Sequence, residues 1–234
     1  MVTTPPAPRL IGISSMATRH LLNELAATYA QRAGCVTAFE AIGGVDAERR
    51  VQQGETFDVV VLAAPAIERL AAGGHVEAAS RVDLVRSGMA IAIPAGAPRP
   101  RLDDDDAVRA AVLAARTIGI STGPSGTHVA RLLERWGIAG AVAPRLVHAP
   151  PGVPVGTLVA RGDAALGFQQ LSELVGLPGI DVIDTLPRGV QSVTVFAAAI
   201  GRDSTHGEVA AAFLRWLASA DTVEAKRRHG MAPA

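Results

Sequence analysis

Two rhythms of apolar and polar positions alternate along this chain. Short runs rich in Val, Ile, Leu and Ala are each followed by small polar residues, then by a stretch whose apolar residues recur three and four apart. That succession is the pattern of parallel strands joined by crossover helices. Residues 10–14 read as a first strand ending at Ser14-Ser15, and residues 17–33 place Leu21, Leu22, Leu25, Ala26 and Tyr29 on one helical face. A second strand at 36–42, the turn Gly43-Gly44, a short helix at 46–53 and a third strand at 57–63, bounded by Pro65, complete a βαβαβ unit.

The plan then repeats. The apolar strand Met89-Ala90-Ile91-Ala92-Ile93 runs into a Pro- and Gly-rich stretch, where the chain is expected to cross into a second lobe, and then into the acidic run 103–106. Such a run suits a solvated loop opening a helix, whose N-terminal dipole favours negative charge. A strand at 117–121, a turn over 121–127, a helix at 128–136 and a strand at 145–148 follow. The loop Pro150-Pro151-Gly152-Val153-Pro154, a short helix ending at Arg161 and a strand at 164–168 close this unit. Strands at 181–183 and 193–200 are expected to return the chain to the first lobe, where helices at 206–218 and 222–229 pack. The expected architecture is α/β with two lobes, each a mainly parallel sheet flanked by helices: 1–90 with 190–234, and 91–189.

Composition narrows the function. Lys plus Arg and Asp plus Glu both number 22, so no overall basic field attracts a phosphate backbone, and the reading includes no nucleic acid. Mean hydropathy is +0.28, but no apolar run approaches the roughly 20 uncharged residues that cross a bilayer, so no membrane insertion is expected. Aromatic residues make up 3%, too few for a stacking platform, which points to a small, non-aromatic ligand. The one cysteine, Cys35, reads as a buried thiol before an apolar run. Residues 1–9 contain neither a basic nor an apolar leader segment. The sequence as it stands therefore predicts a cytoplasmic location, or a periplasmic one if a leader has been removed.

In open α/β sheets ligands collect beyond the carboxyl ends of strands, where loops feed helix N-termini. Four such turns are small and polar or Gly-rich: Ser14-Ser15, Gly43-Gly44, the 121–127 turn and the 151–156 loop. Bare backbone N–H groups and helix N-termini suit a carboxylate or oxyanion. Ser125, Gly126 and Thr127 combine hydroxyls, backbone donors and a helix start; the alternative is an ordinary N-cap. Gly152, Val153 and Gln170 join them, Gln170 either as a ligand contact or as a helix cap. His128 reads as a proton shuttle or a surface residue, and His148 as a base or a strand-end residue bonded to backbone. Asp46 reads as a helix-start charge. No Gly-Lys-Ser/Thr loop, dinucleotide glycine spacing or metal-ligand spacing occurs, so no cofactor and no metal are expected.

Several motifs carry a resemblance. Ile13-Ser14-Ser15-Met16, Arg50-Val51-Gln52-Gln53-Gly54 before Phe57-Asp58-Val59-Val60, Arg161-Gly162-Asp163-Ala164-Ala165-Leu166-Gly167 and Lys226-Arg227-Arg228-His229-Gly230-Met231 stand in the order seen in molybdate-binding proteins of ABC importers. The chain resembles that class of type 2 periplasmic binding protein over nearly its whole length. The resemblance implies a two-lobed fold with an anion in the cleft between lobes. The family's first-turn serine matches Ser15. Its second falls at or beside Gly44, where the hydroxyl is missing; a further position falls in the 151–156 loop, and the expected tyrosine appears as Gln170. These departures point away from molybdate.

Ser121-Thr122-Gly123-Pro124-Ser125-Gly126, Pro150-Pro151-Gly152-Val153-Pro154-Val155-Gly156 and Gly167-Phe168-Gln169-Gln170-Leu171-Ser172-Glu173-Leu174 look instead like a divergent branch similar to aconitate isomerase. That likeness implies a di- or tricarboxylate ligand and an isomerase that shifts its double bond, with turns holding carboxylates and one base moving an allylic proton. The other implied reading is a receptor for an oxyanion, with an ABC permease as partner if a leader lies upstream.

Overall fold

A computed structural model describes residues 8–234, so the reading of residues 1–9 falls largely outside the described residues. The chain divides into two compact units. One ends at Arg86 and resumes over Thr194–Ala234; the other is Ser87–Val193.

Unit one opens with β1 (Arg9–Ser15), a short 3-10 turn and α1 (Arg19–Ala33). The residues buried on α1 are Leu21, Leu22, Leu25, Ala26 and Tyr29, the face its spacing predicts. β2 (Val36–Ile42), α2 (Gly44–Gln52) and β3 (Val59–Ala63) follow. β1 pairs in parallel with β2 on one side and β3 on the other. Val59, Val60, Val61 and Leu62 are all fully buried, as a strand covered on both faces requires.

Three features of this half depart from expectation. Pro65 does not simply bound the third strand. It lies in the first turn of α3 (Ala64–Ala72), a helix the small residues Ala63, Ala64 and Ala66 concealed; a proline there forfeits no helical hydrogen bond. α2 begins at Gly44, so that glycine opens the helix rather than only turning the chain. The apolar run Met89-Ala90-Ile91-Ala92-Ile93 is the second part of a thirteen-residue strand, β4 (Val82–Pro94). Exposed Asp83 and Arg86 broke its apolar pattern.

In unit two, α4 (Asp105–Ala114) is opened by the acidic run, with Asp104 Oδ1 accepting from Ala107 N at 2.8 Å. β5 (Ile118–Ile120), α5 (Pro124–Arg135), α6 (Ala139–Val142), β6 (Leu146–His148), α7 (Val155–Arg161), β7 (Leu166–Gln170), α8 (Leu171–Leu174) and β8 (Ile180–Thr185) follow. β5 lies between β6 and β7, parallel to both. β4 runs antiparallel to β7, and β8 antiparallel to β4. β8 thus belongs to unit two and does not return the chain. The return is made by β9 (Val193–Ile200), antiparallel to β3, with α9 (Gly207–Leu217), α10 (Val223–Arg228) and β10 (Ala232–Pro233), which pairs with the start of β4.

Each unit has its own core. In unit one α1 and α9 cover one face of the sheet, where Tyr29 lies 5.0 Å from both Phe213 and Trp216, and α2 and α3 pack Ala47, Val51, Ile67 and Leu70 on the other. In unit two Met89, Ile91, Ile118, Leu133, Leu166 and Phe168 form the main cluster. The sheets are mixed: a parallel three-stranded heart in each unit is extended by antiparallel strands.

Candidate anion-binding turns

At the carboxyl end of β1 two adjacent serines face opposite sides of the strand. Ser15 caps the following 3-10 turn, its Oγ accepting from Ala17 N at a long 3.4 Å. A methyl group built on Gly44 would lie 3.7 Å from Ser15 Oγ, so the structure brings Ser15 and Gly44 together. Gly43 is the N-cap of α2 and offers no side-chain bond, while Asp46 sits in the first turn and pairs with Arg49 at 2.7 Å. The acidic residue is thus a helix-start charge. Ser14 is fully buried and its Oγ has no hydrogen-bond partner among the described residues. A buried hydroxyl without a partner carries a desolvation cost of about 1–3 kcal/mol, which a ligand acceptor would relieve.

In unit two the 121–127 segment is built differently from the expected loose turn. α5 starts at Pro124, four residues early, so Ser125, Gly126 and Thr127 occupy its first turn. The hub is Ser121. Its Oγ accepts from Gly123 N at 3.3 Å and from Gly126 N at 3.2 Å, and lies 2.7 Å from Ser125 Oγ. A hydroxyl has two acceptor sites and one proton. With both lone pairs engaged, Ser121 donates to Ser125, and the buried Ser125 keeps its own proton for another acceptor. Gly126 is required here: a Cβ would stand 1.8 Å from the Ser121 carbonyl oxygen. Thr127 Oγ1 is turned back to the Gly123 carbonyl at 3.3 Å. The Ser-x-Gly-Pro-Ser-Gly spacing held the signal for Ser121, since a serine at a strand end can accept from N–H groups two and five residues on.

The remaining candidates are spread along the same unit. Val153 N donates to the Pro150 carbonyl at 3.0 Å, closing a turn in which Gly152 has φ +76°, a backbone conformation that favours glycine. The first N–H of α7 is taken by Gln169 Oε1 at 2.7 Å, and Gln169 Nε2 donates to Glu173 at 2.7 Å. Gln170 is buried at the end of β7 in the N-cap position of α8 without a side-chain cap bond. Nearby Ser87 Oγ donates to Ser172 Oγ at 3.3 Å, a buried pair the sequence reading missed because neither serine ends an obvious motif. His128 Nε2 lies 2.8 Å from the Val190 carbonyl, tying α5 to a loop. His148 is exposed at the end of β6.

Unit one also has a polar cluster at the opposite, amino end of its strands. Asp58 accepts from Ile11 N at 2.8 Å, Ser204 Oγ at 2.6 Å and His206 Nδ1 at 3.1 Å. Burial pushes its carboxyl upward, yet the bonds from Ser204, Ile11 and His206 outweigh that and hold it below the ordinary carboxylate value.

Comparison with known proteins fits this arrangement. Residues 11–232 match the family described as bacterial extracellular solute-binding protein. An aconitate isomerase from a Pseudomonas species is 34% identical, the match covering 100% of this chain and 91% of that protein. The periplasmic molybdate-binding protein of Azotobacter vinelandii shares the fold with TM-score 0.81 at 20% identity, over 95% of this chain and 98% of that one. A sulfate-binding protein from Mycobacterium tuberculosis does so with TM-score 0.77 at 17% identity, over 97% and 87%. The α/β fold is that of type 2 periplasmic binding proteins, as the motifs implied. The chain belongs to the bacterial extracellular solute-binding protein family.

Proposed function

We propose that this member of the bacterial extracellular solute-binding protein family binds a small polycarboxylate at strand-end turns and shifts a double bond within it. The observation that carries the reading is the full-length relationship, at 34% identity, to a protein named aconitate isomerase. The chemistry of the turns supports a carboxylate. Ser14 holds an unpartnered buried hydroxyl, Ser125 keeps a free proton, and the N-termini of α2 and α5 add partial positive charge. The resemblance to molybdate-binding proteins implies a hydroxyl at or beside Gly44 and a tyrosine at Gln170, and their replacement favours a larger, flatter anion over molybdate.

Isomerisation asks little of such a site beyond what it offers. Carboxylates must be held still, a proton moved between two carbons, and the charge of the intermediate carbanion stabilised by fixed donors. A second reading, a receptor delivering an oxyanion to an ABC permease from outside the cytoplasmic membrane, draws on the family description and on the molybdate- and sulfate-binding neighbours. Among the described residues no helix is long and apolar enough to cross a membrane. Thermal-shift binding across cis- and trans-aconitate, citrate, molybdate, tungstate and sulfate tests both. Stabilisation by an aconitate supports the carboxylate reading, and stabilisation by molybdate or sulfate alone replaces it with the receptor.

A further inference from the structure

We infer that His148 is the base that moves the proton, an inference resting on the isomerase reading above. The chain has six histidines, and the structure sorts them. His206 bonds Asp58 at the amino end of the unit-one sheet. His75 lies at that same end, next to Val76, which bridges Gly201 beyond β9. His229 lies 2.8 Å from Glu24, and His20 lies 3.1 Å from Arg19. His128 places Nε2 on the Val190 carbonyl; a carbonyl only accepts, so that nitrogen's proton is engaged. His148 alone combines three features. Its ring has no hydrogen bond or ion pair among the described residues, it is exposed, and it ends a parallel strand at the carboxyl side, where ligands of α/β sheets collect.

Its neighbours strengthen the assignment. His148 is the register partner of Ile120, the residue immediately before Ser121, and Ala149 N donates to the Ile120 carbonyl at 2.9 Å. Paired strands lie about 4.8 Å apart, so the His148 backbone stands one strand over from the residue that leads into the Ser121–Ser125 turn. The chain's single Tyr, Cys and Lys, at positions 29, 35 and 226, all belong to unit one, and Glu173 of unit two accepts from Gln169.

The step balances with one base. A neutral imidazole nitrogen takes a proton from the methylene carbon of an unsaturated tricarboxylate. The C–H electron pair becomes the new double bond, and the old π pair forms a C–H bond to the proton that the imidazolium returns to the former vinyl carbon. Nothing is oxidised and no co-reactant is needed; the transient charge is shared with the carboxylates held by the turn's donors.

The test compares wild type with His148→Asn by NMR of trans-aconitate over time and by calorimetric titration of the same ligand. The expected result is conversion slowed by roughly 100-fold or more with affinity retained, and partial rescue by added imidazole. His75→Gln, at the other end of its sheet, serves as the control and keeps the wild-type rate. A His148→Asn protein converting at the wild-type rate, or one losing affinity and rate together, overturns the role as base. Wild type that binds aconitate without converting it overturns the isomerase reading itself, and this role with it.

Discussion

Ser14 in unit one and Ser125 in unit two are both buried hydroxyls where a parallel strand hands over to a helix, but their protons are governed differently. Ser125 Oγ is held by Ser121, which accepts from two backbone N–H groups and donates to it, so the position of the Ser125 oxygen is set before any ligand arrives. Ser14 has no partner among the described residues, so no hydrogen bond there fixes its proton. A donor fixed by a network contributes to binding without an ordering cost, whereas an isolated buried donor leaves the free protein less stable and recovers that loss on binding. One turn is built for orientation, the other for gain on occupancy.

The largest effect should come from breaking the oriented turn. Gly126→Ala places a methyl 1.8 Å from a backbone oxygen. It should cost about 3 kcal/mol in denaturant unfolding as α5 re-forms its first turn. Next comes the amino-end cluster of unit one, where every polar atom of Asp58 is engaged. Asp58→Asn should cost about 2 kcal/mol at neutral pH, since bonds to a charged acceptor are lost. The sign with pH follows from its lowered folded value. The stabilisation is present above the unfolded carboxylate value of about 3.9 and is lost as pH falls through the folded one, so the variant should show a flatter acid limb in stability against pH.

Ser121→Ala should cost about 1 kcal/mol and also weaken carboxylate binding by removing the donor that holds Ser125 Oγ, although Ser121 need not touch ligand. Ser14→Ala should be the mildest for the free protein, within about 0.5 kcal/mol of wild type or slightly stabilising, because a buried unpaired group disappears. Its ligand-dependent rise in melting temperature should nevertheless shrink. If the two serine variants behave alike in both measurements, the contrast between the turns is wrong.

Much of this was legible in the residues. Strands β2 and β9 fall at 36–42 and 193–200 as their apolar runs predict, and the buried face of α1 is the one its spacing names. Composition hid other elements. α3 is mostly alanine around Pro65, so neither rhythm stood out, and charges at Asp83 and Arg86 masked half of β4. At the turns, the residue types gave the chemistry but not the bonding: Ser125 and Gly126 were visible as donors, while Ser121 as their organiser depends on a backbone path that brings residues 121 and 126 together. The free state of Ser14 is set by what does not approach it, which no local pattern encodes.

The most direct test of the central claim is proton NMR of trans-aconitate incubated with the purified protein in deuterated buffer. The account predicts that cis-aconitate appears at a rate proportional to protein concentration. An unchanged trans-aconitate spectrum, with the protein folded and stabilised by molybdate or sulfate instead, would contradict it.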